Sequence, residues 1–170
     1  MRFNSELLSC LVHKEFHFAS FGGSFSFGRY QRVKGICSQL ENDKHFLMWD
    51  FDDVEYPHLI NDLTAVQLMH QLPTIWIIRS SKTDKFHAYC FCRATFSEAA
   101  QVIASSELVD RQFLGLGIMR GYWTLRITKK QFLDGTKSVF QYAGKITSPN
   151  EPDVKAEDCK AEVTYWTRLD

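Results

Sequence analysis

The sequence predicts an α+β domain: one antiparallel sheet with helices against it and a short extension at each end. Three observations predict it. Apolar runs of strand length alternate with stretches of helical periodicity. From residue 44 their order is β-α-β-β-α-β. A chain of 170 residues with 45% hydrophobic and 24% charged residues is long and apolar enough to bury one core.

Residues 1–43 form an N-terminal extension of the same domain. Within it "FHFASFGGSFSFGRYQRV" alternates aromatic and small residues, as an irregular strand pair with a turn at Gly22-Gly23 would. The central unit spans residues 44–147, and "HFLMWDF" is its first strand. In "YPHLINDLTAVQLMHQL" Leu59, Leu63, Val66 and Met69 recur at helical spacing, and Pro57 suits a first helical turn. "TIWIIRS", led in by Pro73, is a second strand, "SKTDK" a polar loop and "FHAYCFC" a third strand. "TFSEAAQVIASSELV" reads as a helix with Thr95 or Ser97 as its N-cap. "GIMRGYWTLRI" closes the unit with a fourth strand or a strand pair. Residues 148–170 carry Pro149, Pro152 and several acids before "AEVTYWTRL", a tail with a last strand or docking segment. The order is the split βαβ pattern of ferredoxin-like and RRM-like folds, four antiparallel strands with two helices on one face. There the first and third strands are neighbours at the sheet centre.

Composition narrows the function classes. Lys plus Arg equals Asp plus Glu at 20 each, so net charge gives no hint of nucleic acid, although a local basic patch can be offset elsewhere. No run reaches the roughly eighteen apolar residues of a membrane span, and the N-terminus lacks the apolar core of a signal peptide. Five Cys without paired short spacings argue against a disulfide framework and a zinc site, and for a reducing, cytoplasmic or nucleoid-associated setting. Cys90 and Cys92 are two apart on a strand and read as free thiols facing one side.

Chemistry concentrates in "KHFLMWDFDD". On a strand Asp50 and Asp52 share a face and Asp53 points opposite. Like charges side by side repel, so the pair wants either a divalent cation or a strand end in solvent. The third strand carries His87. An acid pair beside a histidine on a rigid sheet is a candidate metal and phosphate site, since Mg²⁺ prefers carboxylate oxygens together with phosphate. "RSSKTDKFH" adds Ser80, Ser81, Arg79, Lys82 and Lys85, the donors and positive charge that suit a triphosphate. The bland alternative for His87 is a half-buried strand histidine bonded to backbone.

This ordered set resembles the archaeo-eukaryotic primase superfamily, the primase-polymerases of plasmid and phage replicons. "WDFDD" is similar to that family's acid-x-acid motif at the end of the first palm strand. "RSSKTDKFHAY" is similar to its Ser-loop-His motif, and Val109-Asp110 followed by Arg120, Arg126 and Lys129 to its third motif and basic strand. The family's Arg-Leu-Pro-Gly turn is absent, with "RGYWTLRITKK" in its place. The resemblance covers residues 44–130. It implies an RRM-like palm and a metal-dependent nucleotidyltransferase that works on nucleoside triphosphates and a single-stranded DNA template. Asp50, Asp52 and Asp110 would be its catalytic ligands for two Mg²⁺ or Mn²⁺ ions. Ser80, Ser81, Lys85 and His87 would contact the nucleotide. Arg120 and Arg126, on one strand face, would hold phosphate or template, with Arg126 and Lys129 binding nucleic acid. A helicase or other replication protein is the implied partner, and no membrane is. Asp110 is equally readable as a helix-end acid.

Two rivals use the same fold. A rolling-circle initiator would place a nucleophilic Tyr142 with Lys145, in "QYAGK", on a late helix, but "FHAYCF" has one His where such proteins carry two metal-binding residues. A catalytically inactive palm would only bind nucleic acid. Tyr89 and Phe91 could stack bases, yet Phe86 alternates away from them to the face of Ala88 and Cys90, so the third strand presents no continuous aromatic platform.

Overall fold

Apolar periodicity places the central strands and the first two helices where the chain puts them. The computed structural model describes residues 13–17, 22–26, 30–81, 83–129, 137–155, 158–159 and 162–168. In chain order these form β1 (His13–His17), β2 (Gly22–Ser26), β3 (Tyr30–Cys37), β4 (Lys44–Phe51), α1 (Tyr56–His70), β5 (Ile75–Arg79), β6 (Phe86–Thr95), α2 (Phe96–Ala104), α3 (Arg111–Arg120), β7 (Thr124–Arg126), β8 (Gln141–Ile146) and β9 (Glu162–Arg168). The class is α+β with antiparallel sheets, and β4-α1-β5-β6-α2 followed by β8 gives the βαββαβ order.

The main sheet has four strands in the order β4-β6-β5-β8. The first and third strands of the unit, β4 and β6, are therefore neighbours as expected, but β4 is an edge strand and not central, because β8 pairs with β5 instead of with β4. A second sheet, β7-β3-β9, joins the N-terminal extension to the tail. Ser38 couples the two. Its N–H donates to the Trp123 carbonyl at 2.9 Å, and its carbonyl accepts from Phe46 at 3.0 Å. Its hydroxyl accepts from the Trp123 N–H and lies 3.0 Å from His45 Nδ1. Burial lowers the proton affinity of His45, against a partial opposing pull from Asp43.

One sheet face is covered by helices. Leu47, Trp49, Phe51, Ile75, Ile77, Phe86, Ala88 and Cys90 lie there, with Leu59, Leu63 and Val66 of α1 and Ala99, Val102 and Ile103 of α2. Pro57 opens α1, and Gln71 closes it in a left-handed conformation. Met69, in the predicted apolar stripe, is instead 69% exposed. Of the two candidate caps for α2, Thr95 is the one used, in a reciprocal capping box with Glu98.

Three expectations need correction. "GIMRGYWTLRI" is not one strand. Asp110 caps α3, which runs to Arg120 and stops at left-handed Gly121, and only Thr124–Arg126 is extended. That short strand pairs with β3, and the fourth strand of the main sheet is β8, beside β5. Gly22 and Gly23 pair with His17 and Phe16 inside β1–β2, so they are not the turn. The four described cysteines, Cys37, Cys90, Cys92 and Cys159, are free thiols.

Helix α3 packs on Trp123, whose indole stacks on Phe96 with centroids 5.2 Å apart. A side chain on Gly117 would run into that indole. Gly117→Ala is therefore expected to destabilise the fold by about 1–3 kcal/mol, the usual cost of overpacking. Gly115, with open space around its Cα, should tolerate alanine. Urea denaturation of the two variants checks this.

Candidate acidic site at the end of the sheet

Antiparallel register sets the site. Asp50 on β4 lies directly opposite His87 on β6, with His87 Nε2 3.6 Å from Asp50 Oδ1. The same register continues from His87 to Ile78 on β5 and from Ile78 to Tyr142 on β8. All four residues sit on the sheet face away from the helices. Past the end of β4, Asp52 Oδ2 accepts from Lys85 Nζ at 2.9 Å. Lys85 is held there by a closed loop, in which Ser80 N–H donates to the Lys85 carbonyl at 2.9 Å and Lys85 N–H to the Thr83 carbonyl at 2.8 Å. Val54 N–H donates to the Asp84 carbonyl at 3.0 Å, which ties this loop to the turn that carries the acids. Asp53 has a left-handed backbone in that turn, with φ of 57°.

Asp110 arrives from a distant segment. Its N–H donates to the Asp50 carbonyl at 2.9 Å, and its Oδ1 accepts from the Phe113 N–H at 2.6 Å as the N-cap of α3. It is thus a helix cap and a neighbour of Asp50 at once. Burial, then the Asp52 and Asp110 carboxylates, push Asp50 up to about 7, against a partial pull from Lys85 and Arg126. Lys85 loses some basicity to burial, but its hydrogen bond to Asp52 and the surrounding acids hold it above its usual value.

His87 is a buried neutral imidazole. Burial, and next the Arg126 charge, push it down to about 3. Its Nδ1 is 3.3 Å from the Tyr89 hydroxyl, and Phe140 lies over the ring with centroids 5.8 Å apart. Arg126 sits above Phe140, guanidinium carbon 5.1 Å from the ring centroid, and donates to the Thr128 carbonyl and the Ser138 hydroxyl.

The expected residues therefore divide. Asp50, Asp52, Asp110, Lys85, His87 and Arg126 come together. Ser80 and Ser81 line the loop as buried residues. Lys82 lies outside the described residues. Arg120 and Lys129 are exposed and join none of the site's ion pairs. Arg120 ends α3 while Asp110 begins it, which separates them by about 15 Å; it shares no strand face with Arg126. Tyr142 and Lys145 are on strand β8, not on a helix. Tyr89 and Phe140 pack against His87; the sequence marks Tyr89 only as a base-stacking candidate and does not mark Phe140. The alternation of "FHAYCF" does put Tyr89 on the His87 face, but nothing local marks Phe140.

No protein-family model, no curated protein and no solved structure matches the chain. Among the described residues no helix is long and apolar enough to cross a membrane.

Proposed function

We propose that the protein is a metal-dependent nucleotidyltransferase of the primase-polymerase kind, acting on nucleoside triphosphates along a single-stranded DNA template. One observation carries this: Asp50, Asp52, His87 and Asp110, from three separated motifs, meet at one end of the sheet, where burial and then the Asp52 and Asp110 carboxylates raise the proton affinity of Asp50.

The donor set limits which metal can be held. Among the described residues no group of three or more His, Cys, Asp or Glu is arranged as a metal cage. Asp52 is engaged by Lys85 and Asp110 by a backbone N–H. This fits Mg²⁺ or Mn²⁺, which takes one or two protein carboxylates and completes its shell with phosphate and water. Asp50 and Asp52 would hold it. When bound, the ion neutralises phosphate charge and polarises the reacting phosphoryl group. Lys85 and Arg126 supply positive charge that acts on Asp50. Neutral His87 packs against Asp50 from the neighbouring strand without competing for phosphate as a cation. A helicase or another replication protein as partner belongs to the same proposal.

A second reading, an inactive palm that binds nucleic acid, is favoured by one feature. The Lys85 ion pair and the α3 cap occupy two of the three acids. Incubation with Mn²⁺, labelled nucleotides and single-stranded template, with and without primer, separates the two by extension product. A binding readout stands beside it. Mn²⁺ is expected to raise the melting temperature, because a ligand of the native state stabilises it by mass action, and Asp52→Asn should shrink the gain. No shift in wild type, with or without nucleotide, would remove the metal site.

A further inference from the structure

The sheet face that holds Asp50 and His87 continues onto β5 and β8, where it changes character. Trp76 is 39% exposed and Tyr142 is 58% exposed, large aromatic surfaces to leave in water. Their rings are 6.2 Å apart between centroids, tilted by 52°. Lys145, the β8 partner of Trp76 in the register, stands over the indole with its Nζ 5.2 Å from the ring centroid. Tyr142 is also the last member of the cross-strand row Asp50–His87–Ile78–Tyr142. Three strand spacings put it about 14 Å from Asp50, the length of about four stacked nucleotides.

We infer that Trp76, Tyr142 and Lys145 form a stacking site for unpaired bases of a single nucleic-acid strand that runs across the sheet to the acidic site. Three features select this occupant. The rings are rigid and half-exposed, which suits a base face and costs little conformational entropy. The lysine on the ring offers a phosphate a cation where the acids of the site offer none. The platform is continuous with the face of Asp50 and His87, so one strand can occupy both. Specificity for sequence is not expected, because every base has a π-face and the site holds no set of base-edge donors. Recognition of RNA over DNA is not built in either, since these three side chains address base and phosphate.

The identity of that strand as a template rests on the function proposed above; the stacking site itself does not. The test is anisotropy of labelled oligo-dT and oligo-rU, with a duplex of matched length as control. Wild type should bind both single strands and prefer them to duplex. Trp76→Ala and Tyr142→Ala should each weaken single-strand binding about five- to a hundredfold, while Tyr142→Phe, which keeps the ring, retains it. Lys145→Ala should lower the slope of log affinity against log salt by about 0.7, one phosphate contact on a single strand. Both alanine sites are surface positions, and thermal melts confirm that the variants fold. Single-strand affinity unchanged in Trp76→Ala and Tyr142→Ala, or absent in wild type, overturns the stacking site and leaves the platform as a protein-docking face. The outcomes separate from those of the acidic site. Loss of binding in Trp76→Ala with no template-dependent extension by wild type would keep the stacking site and reject the nucleotidyltransferase. Extension by wild type with affinity unchanged in the alanine variants would do the reverse.

Discussion

Asp50→Asn is expected to abolish template-dependent nucleotide incorporation, with a loss of about 10²- to 10³-fold or more, the usual cost of removing one electrostatic stabiliser of a transition state. The substitution keeps the size of the side chain and its place opposite His87, so the sheet should survive it. It removes the carboxylate that four other charged groups, Asp52, Asp110, Lys85 and Arg126, act on. The Asp110 N–H bond to the Asp50 carbonyl is backbone to backbone and does not depend on the Asp50 carboxylate. Incorporation measured with Mn²⁺ and a primed single strand reads the effect directly. Extension by Asp50→Asn at the wild-type rate would reject the nucleotidyltransferase. A covalent protein–DNA adduct on a denaturing gel would instead revive Tyr142 as a nucleophile.

How far the site was legible depends on whether a contact is local. The acid pair and His87 could be read because alternation on a strand fixes which residues share a face, and "HFLMWDF" and "FHAYCFC" are apolar enough to be strands without outside help. That β4 lies beside β6 follows from the order of elements. Helix α3 was missed because "RQFLGLGIMR" contains two glycines and buries only Leu114 and Gly117; glycine is a poor helix former. The end signals were nevertheless present, Asp110 as cap and Gly121 as stop. The cost of Gly117 is offset by the close seat it gives the Trp123 indole, a contact no periodicity reports. The edge chosen by β8 was equally unreadable. Its pairing with β5 is long-range, and Tyr56, whose hydroxyl donates to the Ala143 carbonyl at 3.1 Å, fits there because residue 144 is glycine. Arg126 does lie near His87 and Asp50, but the strand face it was expected to share with Arg120 does not exist. Its approach to His87 comes through Phe140, in the segment that leads into β8.

In metal-free buffer the wild type is expected to show no net pH dependence from the Asp50–His87 pair between pH 3.8 and pH 6.5, and each single variant should unmask a slope of opposite sign. His87 is held at about 3 in the fold against an ordinary 6.5. Between those values the unfolded chain binds a proton that the folded chain refuses. Its contribution to stability is complete above pH 6.5 and is lost as pH falls toward 3. Asp50 runs the other way. Its folded value of about 7 lies above its ordinary 3.8, so the folded chain keeps a proton that the unfolded chain releases. That contribution is complete below pH 3.8 and is lost as pH rises through 7. Where the windows overlap, the proton counts of the two states match and the slopes cancel. Asp50→Asn leaves the histidine and should make stability rise with pH, by up to about 1.4 kcal/mol per pH unit. His87→Asn leaves the acid and should make stability fall with pH by a similar amount, reduced because the Asp50 side chain is 30% exposed. Urea midpoints across pH in the presence of chelator give the three curves. Other carboxylates titrate in all three proteins, so the differences between curves isolate the pair, and differences flat in pH would mean that the two groups do not hold opposite protonation biases. Mn²⁺ then connects the pair to catalysis. A cation can use Asp50 only once it is ionised, so the Mn²⁺ gain should grow as pH rises through about 7 and should lose that pH dependence in Asp50→Asn.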